Sequence, residues 1–284
     1  MQVTTTIAEI RAWVRAARAA GKTVGFVPTM GALHVGHVSL IQAAAQRCDA
    51  VVVSIFVNPT QFGPGEDFEK YPRPLEKDLA ICEQHGVDAV FAPGRNEMYP
   101  RENLTWVTVE EVSEPLCGRF RPGPFRGVAT VCMKLFHIVG ADLAFFGQKD
   151  AQQVAVIRRM VADLNLPLEI VVCPTVREPD GLAMSSRNQY LSPGERKDAT
   201  RLYQSLEQCR ALIEAGERSA DVLRDRMCDI LRQMPATKIE YVSISDAQTL
   251  EELGQVRGRV LVAVAVRMKS ARLIDNILVD TPAK

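Results

Sequence analysis

The sequence of 284 residues carries no excess of either charge, with 34 Lys and Arg against 34 Asp and Glu. That balance excludes a basic surface spread over the protein for nucleic acid, leaving only local basic loops. No apolar run nears the roughly 20 residues needed to cross a bilayer. The N-terminus reads as a helix carrying Arg11, Arg15 and Arg18, not as a secretory leader. The seven cysteines include no C-x-x-C pair, and most, such as Cys48, Cys82, Cys132 and Cys173, sit in apolar surroundings. They are expected to be buried free thiols of a cytoplasmic protein. Also missing are Gly-x-x-x-x-Gly-Lys-Ser/Thr and Gly-x-Gly-x-x-Gly, so the commoner nucleotide fingerprints are excluded. There is no Gly-x-Ser-x-Gly nucleophile elbow, internal repeat or low-complexity segment.

What is present is a full core, with apolar residues at 47%, in a length that suits one large domain or two ordinary ones. Thr6 and Glu9 fit a capping box before a helix with Ile7, Ile10, Val14 and Ala17 on one face, closed by Gly21. A strand from Thr23 to Val27 stops at Pro28, and a helix follows from about Gly36. Residues 49–57 form a near-continuous apolar run, suited to a central parallel strand covered on both faces. A helix marked by Leu75, Leu79 and Cys82 and a strand over 87–92 come next, and 104–109 alternates like an extra or edge strand. Helices over 127–139 and 150–164 then interleave with strands over 143–146 and 168–173. Such alternation predicts an α/β fold, a Rossmann-like doubly wound parallel sheet, over residues 1–176. After Pro174 the texture changes. Ser192-Pro193 opens a helix to about Ala215, a second covers 220–233, and strands follow at 238–245, 259–268 and 271–279. This predicts a smaller α+β C-terminal domain over 177–284.

Four polar clusters fall at the carboxyl ends of strands, where open α/β sheets bind ligands. They are Thr29 to His37, Asn58 to Gln61, Gly147-Gln148-Lys149-Asp150, and Met184-Ser185-Ser186-Arg187. In the first, a strand passes through a small-residue turn into a helix, which would aim free backbone N–H groups and a positive dipole end at an anion, most simply a phosphate. Each cluster has a plainer reading. His34 and His37, three apart, could bind zinc, although no third ligand is evident, or could cap their helix. Asn58 and Gln61 could merely organise a turn. Lys149 and Asp150 could be a surface ion pair. Ser185 to Arg187, and the basic loop with Arg119, Arg121 and Arg126, could be solvated.

His34-Val35-Gly36-His37 resembles the His-x-Gly-His signature of the nucleotidyltransferase superfamily, and Met184-Ser185-Ser186-Arg187 its second phosphate-binding motif. More specifically, the chain resembles the pantothenate synthetase (pantoate–β-alanine ligase) family. The resemblance rests on Pro28-Thr-Met-Gly-Ala-Leu-His34, Phe56-Val-Asn-Pro59 with Gln61-Phe62-Gly63, and Phe145-Phe-Gly147 with Lys149-Asp150 and Gln152-Gln153. It also rests on Pro174-Thr-Val-Arg-Glu178 with Asp180-Gly-Leu-Ala-Met-Ser-Ser-Arg-Asn188.

The resemblance implies ATP-dependent ligation of (R)-pantoate and β-alanine to pantothenate through a pantoyl adenylate, releasing pyrophosphate and AMP. It implies ATP contacts at Met30, Gly31, Ala32, Leu33, His34, Val35, Gly36 and His37, at Gly147, Gln148, Lys149 and Asp150, and at Val176, Met184, Ser185, Ser186 and Arg187. Within that set His37, His34 and Lys149 would be catalytic, with His37 the candidate proton donor. Gln61, Gln153, Met30 and Phe62 would bind pantoate, with Gln61 also meeting β-alanine. Mg²⁺ would ride mainly on phosphate oxygens, Asp78 being a candidate for a protein contact. The small domain would act as a lid, and a homodimer would form through the first domain. Neither nucleic acid nor a membrane is an expected partner. Val35, Gln148, Ala151 and Pro124 depart from the family pattern, which usually has glutamate, glutamate, an aromatic residue and histidine there. The main contacts stay in place, so activity is expected to be retained. The rivals are another nucleotidyltransferase, which would have no need of the Gln61/Gln153 pair, a non-catalytic nucleotide-binding module, and a tRNA synthetase fragment.

Overall fold

The structure, a computed structural model, describes residues 1–63, 68–121, 123–235 and 237–281. Residues 64–67 of the polar loop after Asn58, and Pro122 of the basic loop, lie outside the described residues. The chain divides into two compact units. The first is Met1–Glu110, Arg121–Gly147 and Val156–Pro174; the second is Glu111–Phe120, Gln148–Ala155 and Thr175–Lys284.

In the order of the chain, the elements of the α/β part are β1 (Gln2–Thr4), α1 (Ile7–Ala19), β2 (Val24–Thr29), α2 (Val35–Arg47), β3 (Ala50–Ile55), α3 (Leu75–Gln84) and β4 (Ala89–Phe91). Then come the short α4 (Arg95–Met98) and α5 (Cys117–Phe120), α6 (Pro124–Val139), β5 (Leu143–Gly147), α7 (Ala151–Asp163) and β6 (Glu169–Cys173). The six strands form one parallel sheet in the order β1-β4-β3-β2-β5-β6. This is the Rossmann-like doubly wound sheet expected. The apolar run of β3 is buried from Ala50 to Ser54, as a strand covered on both faces requires. Val27, Ile41, Ala44, Val53, Val90 and Phe145 pack into one cluster of the core.

Three features differ from the sequence reading. Strand β2 does not stop at Pro28 but runs to Thr29. Thr23 and Thr29 turn their carbonyls to β3 and Val24 turns its carbonyl toward Asp142, so Pro28 faces β5, beyond the last β2–β5 pair at Phe26 and Ala144. Its missing N–H therefore breaks no ladder bond. Residues 104–109 form no strand. The Val107 N–H donates to the Thr130 hydroxyl at 3.0 Å rather than to a ladder, and Leu104 is 85% exposed. Alternation alone does not supply a pairing partner. Conversely, β1 pairs with β4 although three residues are too few to show a period.

The second unit holds α8 (Pro193–Glu214), α9 (Ala220–Leu231) and the antiparallel sheet β7 (Lys238–Asp246), β8 (Arg259–Arg267) and β9 (Arg272–Asp280), in the order β7-β8-β9. Leu202, Leu206 and Ile213 of α8 and Leu223, Met227 and Leu231 of α9 pack with alternate residues Val260, Val262, Val264 and Val266 of β8. Cysteines 82, 117, 132, 173 and 209 are buried, and all seven are free. Burial pushes the thiols of Cys82, Cys132 and Cys209 up to about 12, so they stay protonated and unreactive near neutral pH. No helix of the described residues is long and apolar enough to cross a membrane.

Glu195 links the start of α8 to the turn between β8 and β9. Its carboxylate accepts from the Ser192 N–H and hydroxyl and from the Ser270 N–H and hydroxyl, at 2.8–3.0 Å. The Ser192 bonds foremost hold this carboxyl down at about 2, against an ordinary 4.5. Its contribution to stability is complete above 4.5 and drains away as pH falls toward 2. Glu195→Gln is expected to lower Tm at pH 7 and to flatten the fall of Tm between pH 4.5 and 2. Parallel melting curves across that range would remove Glu195 from the acid response.

Candidate active site

Strand order places the site first. From β2 the chain winds one way into β3 and β4, then returns to lay β5 and β6 on the other side of β2. Strand β2 is thus the point where the winding reverses, and the crevice at its carboxyl end is the natural ligand position. Strands β3, β2, β5 and β6 are consecutive neighbours, and the four polar clusters follow their carboxyl ends in the chain.

The turn after β2 is built by hydrogen bonds that the sequence reading did not foresee. Thr29 is buried and donates to the Ser54 carbonyl at 2.7 Å, while accepting from the Gly31 N–H at 3.1 Å. Gly31 and Ala32 both adopt left-handed φ, 81° and 51°. The next two N–H groups, of Ala32 and Leu33, then reach the two carboxylate oxygens of Asp78 on α3, each at 2.8 Å. Asp78 is 1% exposed. Burial pushes its carboxyl up, and the two backbone donors pull it back. Gly31 is required here, because a Cβ would stand 2.9 Å from an Asp78 oxygen.

His34 caps α2, its Nδ1 accepting from the Gly36 N–H at 3.1 Å; the His34 N–H donates to His37 Nδ1 at 3.3 Å. The two rings lie 4.2 Å apart between centroids. This corrects the expectation of free backbone donors at the corner: the N–H groups of Gly31, Ala32, Leu33, His34 and Gly36 are all engaged. Such donors would be orphans at a helix start, and the fold satisfies them internally. The consequence is chemical. Because each Nδ1 accepts, each neutral imidazole carries its proton on Nε2, so the donors of this corner are two imidazole N–H groups at the positive end of α2. Among the described residues no group of three or more His, Cys, Asp and Glu is placed to hold a metal ion.

After β3, Asn58 is a buried hub. Its Oδ1 accepts from the Thr60 hydroxyl and the Tyr99 hydroxyl, both at 3.0 Å; its Nδ2 donates to the Gly127 carbonyl at 3.3 Å and to Gln61 Oε1 at 3.1 Å. So Asn58 does organise a turn, and in doing so it orients Gln61, whose Nε2 points at Met30 Sδ, 2.8 Å away. A thioether is a weak acceptor, and this amide can exchange it for a stronger oxygen. Gly127 lets α6 pass the turn, since a Cβ there would overlap the Thr60 carbonyl. Phe62 meets Phe68 and Tyr71 edge-on at 5.3 and 5.9 Å. Lys134 lies 4.6 Å over the Tyr99 ring, and burial lowers its ammonium.

The third and fourth clusters belong to the second unit, except Gly147, which ends β5. Gln148–Asp150 is a single 3₁₀ turn, with Lys149 Nζ 3.7 Å from the Asp150 carboxylate. Gln152, beside Gln153 on α7, is buried and pins the turn before α5: its Oε1 accepts from the Cys117 N–H at 2.9 Å and its Nε2 donates to the Pro115 carbonyl at 2.6 Å. Ser185 caps the 3₁₀ turn Ser186–Tyr190, its hydroxyl accepting from the Arg187 N–H at 3.3 Å. The loop that carries Val176 and Met184 closes on itself through the Met184 N–H to Val176 carbonyl bond at 2.9 Å.

Sequence reading missed the jobs of Asp78 and Tyr99. The available signal was a buried-pattern acid on α3, in register with Leu75, Leu79 and Cys82. Asp78, weighed there for magnesium, spends both oxygens on the backbone.

Comparison with known proteins now fits these features. The family model described as Pantoate-beta-alanine ligase matches residues 2–278. The pantothenate synthetase of Pelotomaculum thermopropionicum is 55% identical over 278 residues, covering 98% of this chain and 99% of that one. That of Moorella thermoacetica is 55% identical over 280 residues, covering 99% of each. The crystal structure of pantothenate synthetase from Thermus thermophilus superposes with a TM-score of 0.93 at 46% identity, over 98% of this chain and 99% of that one. A pantoate–β-alanine ligase from Francisella tularensis, solved with β,γ-ATP and β-alanine, gives a TM-score of 0.80 at 35% identity, over 98% of this chain and 97% of that one. By fold, by site motifs and by match along nearly its whole length, the chain belongs to the pantoate–β-alanine ligase family.

Proposed function

We propose that the chain joins pantoate to β-alanine at the expense of ATP, by way of a pantoyl adenylate, with the residues described above in defined roles. The observation that carries this is the His34/His37 pair, two imidazoles tautomerically fixed to present Nε2–H at the start of α2. A carboxylate attacking a polyphosphate brings anion to polyanion, so the site must supply oriented donors and positive charge. In the first step a pantoate carboxylate oxygen bonds to the ATP α-phosphorus as the bond to pyrophosphate breaks. His34 and His37 donate Nε2–H hydrogen bonds to phosphate oxygens, that of His37, the candidate proton donor, meeting the departing oxygen, and Lys149 Nζ neutralises the transferring phosphoryl group. Ser185, Ser186 and Arg187 hold the triphosphate. Met30 to Gly36, Gln148 and Asp150 shape the walls around it, and the backbone of Gly147 and Val176 meets the nucleoside. In the second step the β-alanine amine attacks the acyl carbon, AMP leaves and the amine proton is lost.

The Gln61 and Gln153 amides fit pantoate's hydroxyls and carboxylate, with Gln61 also facing β-alanine. Met30 and the Phe62 aromatic group suit its gem-dimethyl carbon. Magnesium belongs here as part of the substrate, MgATP: the described residues offer no cage of their own, and Asp78 has both oxygens committed. We place the enzyme in the cytoplasm, in keeping with seven free thiols. We also infer a homodimer, because Leu104 and Trp106 stand out at 85% and 36% exposure.

The decisive assay supplies MgATP, pantoate and β-alanine and follows AMP, with pantoate-dependent ATP–pyrophosphate exchange reading the first step alone. AMP release that ignores pantoate would overturn the reading. His37→Ala is expected to slow exchange by about 10²- to 10³-fold with Tm unchanged; normal exchange would take His37 out of the mechanism. Gln61→Ala should raise the pantoate KM by roughly tenfold or more and leave ATP binding intact; lost ATP binding instead would move the pantoate pocket elsewhere. Leu104→Glu should convert a dimer to a monomer in sedimentation, and an unchanged mass would clear this segment of any part in assembly.

A further inference from the structure

Between its charged end residues Arg272 and Asp280, strand β9 is apolar except at its middle, where Asp275 and Asn276 follow one another at 2% and 4% exposure. Successive strand residues face opposite ways, so two buried polar side chains here must each have partners on their own face. Asp275 shares a face with Leu273, Ile277 and Val279 of the core. It takes both arms of Arg177, at 2.6 and 3.0 Å, and the Asn276 N–H at 2.7 Å. Arg177 in turn donates to the Gly181 carbonyl at 3.0 Å and stacks 4.0 Å over the Tyr203 ring. Asn276 is thereby held at its own backbone.

Its side chain faces the Gln148–Asp150 turn. Nδ2 donates to the main-chain carbonyls of Gln148 at 3.0 Å and of Lys149 at 2.8 Å, and Oδ1 accepts from Gln148 Nε2 at 3.0 Å. Two carbonyl acceptors can face only the NH₂ end, which fixes the orientation of the amide. The 3₁₀ turn runs straight into α7 at Ala151, and this amide adds a side-chain donor to two of its carbonyls, tying the turn to β9. Lys149 carries its charge on four rotatable carbons, so where the ammonium can reach is set by where its backbone is held.

We propose that Asn276 is a positioning residue for the phosphoryl-transfer step, acting through Lys149 by clamping the Gln148–Lys149 backbone to β9. The inference rests on the reading of Lys149 as the group that neutralises the transferring phosphoryl. It assigns a role in the chemistry to a buried residue of the small antiparallel sheet.

The test measures pantoate-dependent ATP–pyrophosphate exchange in the full chain with Asn276→Ala, Asn276→Asp, Asn276→Ser, Lys149→Ala and the double variant Asn276→Ala/Lys149→Ala. Asparagine to aspartate keeps the shape but loses both donors; serine keeps one donor and covers the case in which the alanine variant does not fold. The expected result is a kcat for exchange about 10- to 100-fold lower in the alanine and aspartate variants, an intermediate serine variant, and smaller changes in KM for ATP. If Asn276 acts through Lys149, the double variant is no slower than Lys149→Ala. Ile277→Val, which trims the neighbouring core side chain of β9, serves as the control: it should lower Tm without moving kcat. Slow exchange in Lys149→Ala together with wild-type kcat in all the Asn276 variants would overturn the clamp and leave the proposed function standing. Effects that multiply in the double variant would also overturn it, since Asn276 would then act elsewhere. Wild-type exchange in Lys149→Ala would remove the role assigned to Lys149 and the clamp with it.

Discussion

The first unit depends on one carboxylate, that of Asp78, and on the two N–H groups it captures. A strand that ends in a sharp turn before a helix leaves a series of backbone donors without partners, and a buried one costs about 1–3 kcal/mol if left so. Asp78 reaches across from α3 and satisfies those of Ala32 and Leu33 together, which requires both N–H groups to point the same way. Left-handed φ at Gly31 and Ala32 makes that possible. The turn then delivers His34 at the cap of α2, and His34 orders His37 through its own N–H. The tautomer of both imidazoles follows from the last two bonds of this chain, so the backbone of the turn decides which nitrogen carries the proton.

The same device recurs. Asn58 satisfies the turn after β3 and orients Gln61; Gln152 satisfies the turn before α5; Asn276 satisfies the turn after β5. In each case a short segment between regular elements is tied down by hydrogen bonds to one buried polar side chain. Amides suit this work because each offers donors and acceptors at once and remains uncharged when buried. The regular sheet supplies the frame, while these four side chains convert the loose ends of its strands into fixed positions.

This division explains how much was legible in the sequence. Strands β3, β5 and β6, the longer helices and the small α+β part declared themselves by apolar run, period and cap, because those patterns reflect contacts made many times over, whereas the four-residue α4 and α5 did not. Ser192-Pro193 announced α8 in the same way. The candidate residues at strand ends were legible as clusters, and family resemblance gave them roles. What could not be read was who holds them. Asp78 and Ala32 are 46 residues apart, and Asn276 and Gln148 are 128 apart; a one-off polar contact between distant segments leaves no period in the chain. The failed strand at 104–109 is the converse error, a local pattern with no ladder partner to realise it.

The same physics bears on the positions where this chain departs from its family's usual pattern. Pro124 occupies the first turn of α6, where a missing N–H costs nothing because the helix has no acceptor for it. Val35 opens α2 half-exposed and takes no part in the bonds that order His34 and His37, which run through backbone N–H groups and ring nitrogens. Ala151 begins α7, where a small side chain suits a helix start. Gln148 is different in kind, since its amide donates to Asn276 Oδ1 and a carboxylate could not do so in ionised form. Three of the four departures are therefore neutral to the hydrogen bonds that build the site, and the fourth adds a bond to the clamp that fixes Lys149.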